Sequence, residues 1–278
     1  MHIENYFVSQ ADRRYSLRDR GLLSAEYIVL HNTAGGSVKS SVDYLKSRGY
    51  GYHFIIDRDG AIYQTVPMNQ KVFHAGSSNW RGRDSLNGFS IGVCFANRGW
   101  SATEESNYQW RQVGHHGGNT YHDKHYWEEY SDAQIQAGIS LCSAIVSHYP
   151  IRDIVRHDDI AIGRKVDTGP ALDISPFEAL IPDRSRELIY EHIVDVRDGD
   201  VLNIRRWPGE TVVGTLSPQE VVYVRSFTYK YVFSSHRQRK VPVKDEWCSI
   251  AKDGFTHLGY VHSGYLDELD SDDSNPVA

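Results

Sequence analysis

The sequence has little cysteine and no segment built for a membrane. It holds three cysteines in 278 residues, and an odd number at wide spacings does not predict a disulfide framework. No apolar run is long enough to span a bilayer, and the first residues lack the basic and apolar regions of a secretory signal. We therefore expect a chain made in the cytoplasm that does not insert into a membrane.

The sequence also has no excess of positive charge. The net charge is −6, which argues against general binding to nucleic acid, because such proteins need a basic face that neutralises phosphates. Apolar residues make up 40% and charged residues 24%, so a packed core is expected. The length suits one large and one small domain. Residues 270–278 are mostly acidic and polar and are predicted to be disordered.

Strands and helices alternate through residues 1–182. An apolar run over residues 27–30 predicts a buried strand that ends at His31. A helix is expected to follow between Ser37, a favoured cap, and Gly49, a favoured terminator. The next runs predict a hairpin and then a strand over residues 90–95.

A second helix has a clear start, because Ser131 and Gln134 fit a capping box. It is followed by a strand that ends at His157. The pattern predicts an α/β domain, with a central mixed β-sheet flanked by helices. Residues 183–192 are interpreted as a linker. Short β-type runs over residues 193–269 predict a small all-β barrel.

The most informative stretch is RHDDIAIGRKVDTGP. Asp167 follows His157 by ten residues, and Lys165 stands two positions before the aspartate. Together with His31, they offer two imidazoles and one carboxylate. This is a zinc ligand set that leaves a fourth position open for water, whereas closed structural zinc sites prefer cysteine. Taken singly, each histidine is more often a packed or hydrogen-bonded residue than a ligand.

Four motifs in order give these histidines a context: LHNTAGG, GYHFIIDRDGAIYQ, FHAGSSNWRGRDSLNGFSIGV and RHDDIAIGRKVDTGP. Over roughly residues 20–180 the chain resembles the zinc-dependent N-acetylmuramoyl-L-alanine amidases. This fold is shared by some phage lysozyme-type amidases, recycling amidases and animal peptidoglycan-recognition proteins. Any one of the motifs would be weak alone, but the ordered set is specific.

The resemblance implies that His31, His157 and Asp167 bind one zinc ion per chain. It also implies that Lys165 is catalytic and lies near the water that zinc activates. Recycling members have a glutamate at the position of Cys94. Certain phage members have instead a tyrosine that corresponds to Tyr52, which is therefore our candidate for the second catalytic residue. The alternatives are a core aromatic for Tyr52 and a surface ion pair for Lys165.

Three further residues are candidates for substrate binding. The family's HAG segment lines the sugar–peptide groove, which makes His74 a candidate contact. Trp80 is expected to stack on a sugar face, with a packed core tryptophan as the alternative. Asn32, next to a ligand, is expected to hydrogen-bond the substrate peptide.

Residues 193–269 resemble bacterial SH3-like domains, which often attach cell-wall enzymes to their polymer. The resemblance of residues 20–180 to the amidases implies an enzyme that hydrolyses the amide bond between the lactyl group of N-acetylmuramic acid and L-alanine in peptidoglycan. Two alternatives are a peptidoglycan-binding module without activity and a zinc peptidase that cuts the stem peptide. Asp167 and Lys165 are both present, which favours the enzyme.

The biological setting stays open between three uses. A phage endolysin would reach the periplasm through membrane holes, and an antibacterial effector would be secreted, with a secretion-system or immunity partner. A cytosolic recycling enzyme is the third use, and the attached SH3-like module argues against it. We expect lysis or effector use, with action on the cell wall.

Overall fold

The computed structural model describes residues 1–103, 110–112, 126–181, 191–234, 237, 239–253 and 257–269. Most of the predicted linker, the tail at 270–278 and the histidine-rich insert at 115–125 lie outside these residues. The chain divides into two compact units. The first comprises Met1–Ser78 and Asp84–Ser185, and the second comprises Asn79–Arg83 and Arg186–Ala278.

The short segment Asn79–Arg83 departs from the predicted domain limits, which placed it in the first domain. It groups with the second unit because it hydrogen-bonds there. The Arg81 N–H donates to the Arg225 carbonyl at 2.8 Å, and the Ser226 hydroxyl donates to the Asn79 carbonyl at 2.9 Å. Local sequence gives no sign of such a long-range pairing.

Within the described residues the chain forms four α-helices and nineteen strands. The helices are α1 (Val38–Arg48), α2 (Asp132–His148), α3 (His157–Ile160) and α4 (Ser175–Glu178). The strands up to α3 are β1 (Ile3–Glu4), β2 (Phe7–Val8), β3 (Tyr27–Asn32), β4 (Phe54–Ile56), β5 (Ile62–Gln64), β6 (Asn79–Trp80), β7 (Arg83–Asp84), β8 (Ser90–Phe95), β9 (Trp100–Ser101), β10 (Trp110–Gln112), β11 (Tyr126–Glu128) and β12 (Asp153–Arg156). None of the helices described has the length and apolar character needed to cross a membrane.

The central sheet of the first unit has the strand order β12-β3-β8-β4-β5. The first four strands pair in parallel, and β5 pairs antiparallel with β4. This confirms the predicted mixed sheet. All residues of β3 and β8 are buried, as expected of parallel strands that are covered on both faces.

The two long helices begin where the sequence predicts. The Ser37 hydroxyl accepts a hydrogen bond from the Ser40 N–H at 3.2 Å, and Gly49 ends α1 with φ of 68°, a conformation that glycine adopts without strain. Ser131 and Gln134 form the expected capping box at the start of α2. These boundaries follow from local chemistry, so they could be predicted from sequence.

One face of the sheet packs against α2 and the other against α1. The α2 side buries the larger cluster, which includes Phe54, Phe95, Leu141, Ile145 and Phe177. The α1 side buries a smaller cluster. Burying such apolar surface stabilises a fold by roughly 25 cal/mol per Å². The sheet therefore lies between two packed apolar layers.

The second unit is all-β, as predicted. Its remaining strands are β13 (Glu191–Val194), β14 (Leu202–Arg205), β15 (Val212–Leu216), β16 (Val221–Ser234), β17 (Arg239–Ala251), β18 (Gly259–His262) and β19 (Leu266–Glu268). They form one sheet in the order β15-β14-β18-β17-β16-β13-β19, in which the strand pairs are antiparallel. A separate apolar cluster is centred on Val222, Val224, Cys248 and Ile250.

Candidate metal centre and active site

Two neighbouring parallel strands bring the candidate histidines together. Strand β12 pairs with β3 so that Arg156 lies opposite Leu30, and the next residue on each strand is a histidine. His31 continues β3, whereas His157 begins α3 directly after β12. The loop after α3 returns with Asp167, whose carbonyl accepts the Asp158 N–H at 2.7 Å. The three predicted ligands therefore meet at one end of the sheet.

Three donor atoms form a nearly equilateral triangle. The distances are 3.0 Å between the Nδ1 atoms of His31 and His157, 3.1 Å from His31 Nδ1 to Asp167 Oδ2, and 2.9 Å from His157 Nδ1 to the same oxygen. Tetrahedral zinc, with bonds of about 2.0–2.1 Å, separates its ligands by roughly 3.3 Å. The spacing fits a zinc-sized ion with small outward shifts.

Metal binding requires neutral imidazole and ionised carboxylate, and the pKa values of His31 and Asp167 are shifted toward those states. Burial lowers the pKa of His31 to about 3, and the charges of His157 and Lys165 act in the same direction. Burial alone would raise the pKa of Asp167, but the interaction with His157 and, after it, with His31 outweighs this effect. The pKa of Asp167 therefore lies well below its usual value.

The outer nitrogen of His157 is fixed by the backbone. His157 Nε2 lies 3.0 Å from the carbonyl oxygen of Ala75. Arg164 Nη2 lies 3.3 Å from the same nitrogen. With a metal held by Nδ1, Nε2 would carry the proton and donate to the Ala75 carbonyl. A hydrogen bond of this kind orients a metal ligand and selects its tautomer.

A cavity of about 680 Å³ opens above this cluster, and both catalytic candidates line it. Lys165 is on its wall beside Asp167. The Tyr52 ring centre lies 4.8 Å from that of His31. Burial raises the pKa of Tyr52 well above its usual value, and the nearby Cys94 and Asp167 add to the shift. Tyr52 therefore stays protonated and can donate a hydrogen bond.

The three candidates for substrate binding differ in position. Asn32 and His74 line the cavity, but both are buried. The Asn32 amide donates to the Thr168 carbonyl at 3.1 Å and accepts from the Ala34 N–H at 3.2 Å. Its hydrogen-bonding groups thus have partners inside the protein, and it braces the loop that carries Asp167.

Trp80 is not placed as expected. It belongs to the second unit, is only 3% exposed and is absent from the cavity lining. The guanidinium carbons of Arg225 and Arg81 lie 5.2 and 5.6 Å from its ring centroid. The expectation that Trp80 stacks on a sugar is therefore corrected: its ring is buried and has almost no face open to a ligand.

Four exposed aromatic side chains form a rim around the cavity, and they are not among the sites expected from the sequence. Tyr44, Tyr50, Phe73 and Trp100 line the cavity and are 59%, 52%, 40% and 41% exposed. Exposed aromatic side chains around a cavity are typical of binding surfaces. The helical periodicity of α1 marks Tyr44 as exposed, because it lies outside the buried stripe formed by residues 38, 41, 42 and 45. The other three lie outside the helices, where no periodicity marks them.

Comparison with known proteins identifies the class. A model of the N-acetylmuramoyl-L-alanine amidase family matches residues 22–170, more than half of the 278 residues. The chain belongs to this family.

Individual relatives carry the same name. The chain is 32% identical over 170 residues to N-acetylmuramoyl-L-alanine amidase AmiD of Escherichia coli, a match over 56% of this chain and 55% of that protein. It is 32% identical over 131 residues to 1,6-anhydro-N-acetylmuramyl-L-alanine amidase AmpD of Escherichia coli, over 46% of this chain and 57% of the relative. The chain thus spans about half the length of these curated relatives.

Among solved structures, the complex of Escherichia coli AmiD with anhydro-N-acetylmuramic acid-L-Ala-D-γ-Glu-L-Lys is 27% identical, with a TM-score of 0.46. That match covers 62% of this chain and 61% of AmiD.

Proposed function

We propose that this protein is a zinc-dependent N-acetylmuramoyl-L-alanine amidase. It hydrolyses the amide bond between the lactyl group of N-acetylmuramic acid and L-alanine. The observation that carries the proposal is the convergence of His31 Nδ1, His157 Nδ1 and Asp167 Oδ2 within 2.9–3.1 Å of one another, in a chain of this family.

These three residues would hold one zinc ion per chain. Two neutral imidazoles and one carboxylate would leave a net positive charge at the centre. When bound, zinc supplies Lewis-acid activation of water and of a carbonyl group at neutral pH. Asp167 keeps 15% of its side chain exposed, so the site is reachable from the cavity.

Lys165 and Tyr52 would act on the reacting amide from the cavity wall. Attack on the amide places negative charge on its oxygen, and the Lys165 ammonium is suited to stabilise that charge. Tyr52 stays protonated, so its hydroxyl would donate a hydrogen bond to the reacting group rather than remove a proton.

The cavity above the cluster suits a bulky amphipathic substrate. Exposed aromatic rings offer stacking faces for sugar C–H groups, and Arg164 in the cavity lining offers positive charge to carboxylates. Peptidoglycan carries both kinds of group, sugars in its glycan strands and carboxylates in its stem peptides. We therefore take peptidoglycan as the binding partner.

The second unit would bind the same polymer. Its antiparallel strands with a separate apolar core support the SH3-like barrel that the sequence predicts. We further propose that the enzyme acts on the cell wall in the periplasm, after phage-mediated release or secretion. The choice between endolysin and effector rests on genomic neighbours, namely holin genes or secretion and immunity genes.

The reaction is tested by digesting purified murein sacculi and identifying the products by mass spectrometry. We expect glycan strands with a free lactyl carboxylate together with intact stem peptides that begin with L-alanine. His31→Ala should release neither product. His148→Ala, which changes an exposed histidine outside the cavity lining, should act like the wild type. Cuts inside the stem peptide with the lactyl amide intact would overturn the proposal.

A further inference from the structure

His74 links a zinc ligand candidate to the protein interior. Its Nδ1 lies 2.9 Å from His31 Nε2, and its Nε2 lies 3.2 Å from the Ser90 carbonyl oxygen. The His74 side chain therefore spans the space between the ligand and strand β8. Both ring nitrogens have partners inside the protein.

Ser90 determines which atoms donate and which accept in these hydrogen bonds. The Ser90 hydroxyl donates to the Leu86 carbonyl at 2.6 Å, so toward His74 Nε2, at 3.3 Å, it can only accept. The Ser90 carbonyl also only accepts. His74 Nε2 must then carry the proton, and His74 Nδ1 must offer its lone pair.

The hydrogen bond between His74 and His31 in turn determines which nitrogen of His31 carries a proton. Because His74 Nδ1 accepts, His31 Nε2 carries the proton and donates. The lone pair of His31 is left on Nδ1, which faces His157 Nδ1 and Asp167 Oδ2. The side chain of His74 thus selects the tautomer of His31 that can bind a metal.

The backbone at His74 serves the second imidazole. The N–H groups of His74 and Ala75 both donate to the Asn87 side-chain oxygen, at 2.9 and 2.8 Å. The carbonyl of Ala75 lies 3.0 Å from His157 Nε2 and also accepts from the Arg164 guanidinium. One clamped dipeptide therefore orients both histidine ligands, one through a side chain and the other through a carbonyl.

The sheet leaves room for this arrangement. A Cβ atom built on Gly92 would lie 2.9 Å from the ring atoms Cγ and Nδ1 of His74, closer than real Cβ contacts allow. The ring of His74 lies directly against β8 at a position where only glycine fits. A histidine that merely contacted substrate from the cavity wall would not need this space.

We propose that His74 is a positioning residue that fixes the tautomer and orientation of His31, rather than a contact for substrate. The inference rests on the proposed function, because it concerns the ligand set of the zinc amidase. It assigns the dipeptide His74–Ala75, held by Asn87, as the common outer support of both histidine ligands.

The test measures zinc affinity by competition with a chelator and the absorption spectrum of the Co²⁺-substituted protein. His74→Leu, which keeps bulk but removes the acceptor, should lower zinc affinity about 10- to 100-fold, the range for lost outer-shell partners. His74→Asn places Oδ1 where Nδ1 was and should recover most of this loss. The Co²⁺ spectrum should change in His74→Leu and return toward that of the wild type in His74→Asn.

His53→Leu is the matched control for a lost buried histidine. His53 is buried, and its ring lies 5.9 Å from that of His74. It bonds to the Gln70 carbonyl and the Gly92 N–H. The folded variant should keep the zinc affinity and the Co²⁺ spectrum of the wild type. If His74→Leu does not fold, Asn87→Ala, which frees the clamped dipeptide from outside, should lower zinc affinity in the same direction by a smaller factor.

The outcomes separate this inference from the proposed function. Wild-type protein that binds no zinc would overturn the proposed function. Wild-type protein that binds zinc while both His74→Leu and Asn87→Ala bind it equally well would overturn only the positioning role. A raised KM in His74→Leu with unchanged zinc affinity would identify His74 as a substrate contact and would also contradict the inference.

Discussion

The floor and the rim of the cavity are built in opposite ways. At the floor, His31, His157 and Asp167 meet through contacts of 2.9–3.1 Å, and each histidine is almost fully buried. At the rim, Tyr44 and Tyr50 are more than half exposed. Under the proposed function, the buried floor would provide the chemistry and the exposed rim would provide contact area.

Removing a floor ligand should have the largest effect. Asp167→Ala takes away the carboxylate and leaves two imidazoles, so we expect loss of bound zinc and no measurable hydrolysis of murein. Elemental analysis and a sacculus-release assay check this. The exposed Asp43, paired with Lys39 on α1, supplies the control Asp43→Ala, which should keep both properties. Zinc-dependent turnover in Asp167→Ala would contradict the assignment of Asp167 as an essential ligand at the floor.

Lys165→Met tests the charge on the cavity wall. It keeps the length of the side chain but removes the ammonium, so kcat should fall about 10²- to 10³-fold, as for other lost oxyanion partners. Zinc content should stay at the wild-type level. Steady-state kinetics on a soluble muropeptide separates kcat from KM. A change in KM with an unchanged kcat would show that Lys165 binds substrate and does not take part in the reaction.

Tyr52→Phe removes one hydroxyl and nothing else. Because the phenol stays protonated at neutral pH, we expect the loss of a hydrogen bond to a charged group, worth about 1.5–3 kcal/mol or roughly 10- to 100-fold in kcat. Zinc content should not change. An unaffected kcat would mean that Cys94 or another group, and not Tyr52, is the second catalytic residue.

Rim substitutions should have the smallest effect. Tyr44→Ala and Tyr50→Ala each remove an aromatic contact worth about 0.5–1.5 kcal/mol, so KM should rise two- to tenfold while kcat stays constant. Tyr6→Ala, at an exposed tyrosine outside the cavity lining, is the matched control. A fall in kcat with constant KM would contradict the assignment of the rim to binding.

Local chemistry made several elements predictable. The caps at Ser37, Gly49 and Ser131 act within one helical turn, so their sequence pattern is enough to place α1 and α2. The mixed sheet followed from the alternation of strands and helices. The ligand set was reached through the ordered motifs that identify the family, because spacing alone does not show that residues 31 and 157 are neighbours.

Long-range contacts could not be predicted in the same way. Trp80 was expected to face a sugar, but it packs with Arg225, which is far away in sequence. His74 was expected to touch substrate, yet its nitrogens bond to His31 and Ser90. In both cases the local sequence was compatible with either environment, and only the tertiary structure shows which groups lie near.

The metal content of purified wild-type protein, measured by elemental analysis beside His31→Ala, tests the zinc centre itself. We expect one zinc ion per wild-type chain and a much lower content in the folded variant. Wild-type protein that hydrolyses murein with no bound zinc, or equal zinc content in the two proteins, would contradict this expectation.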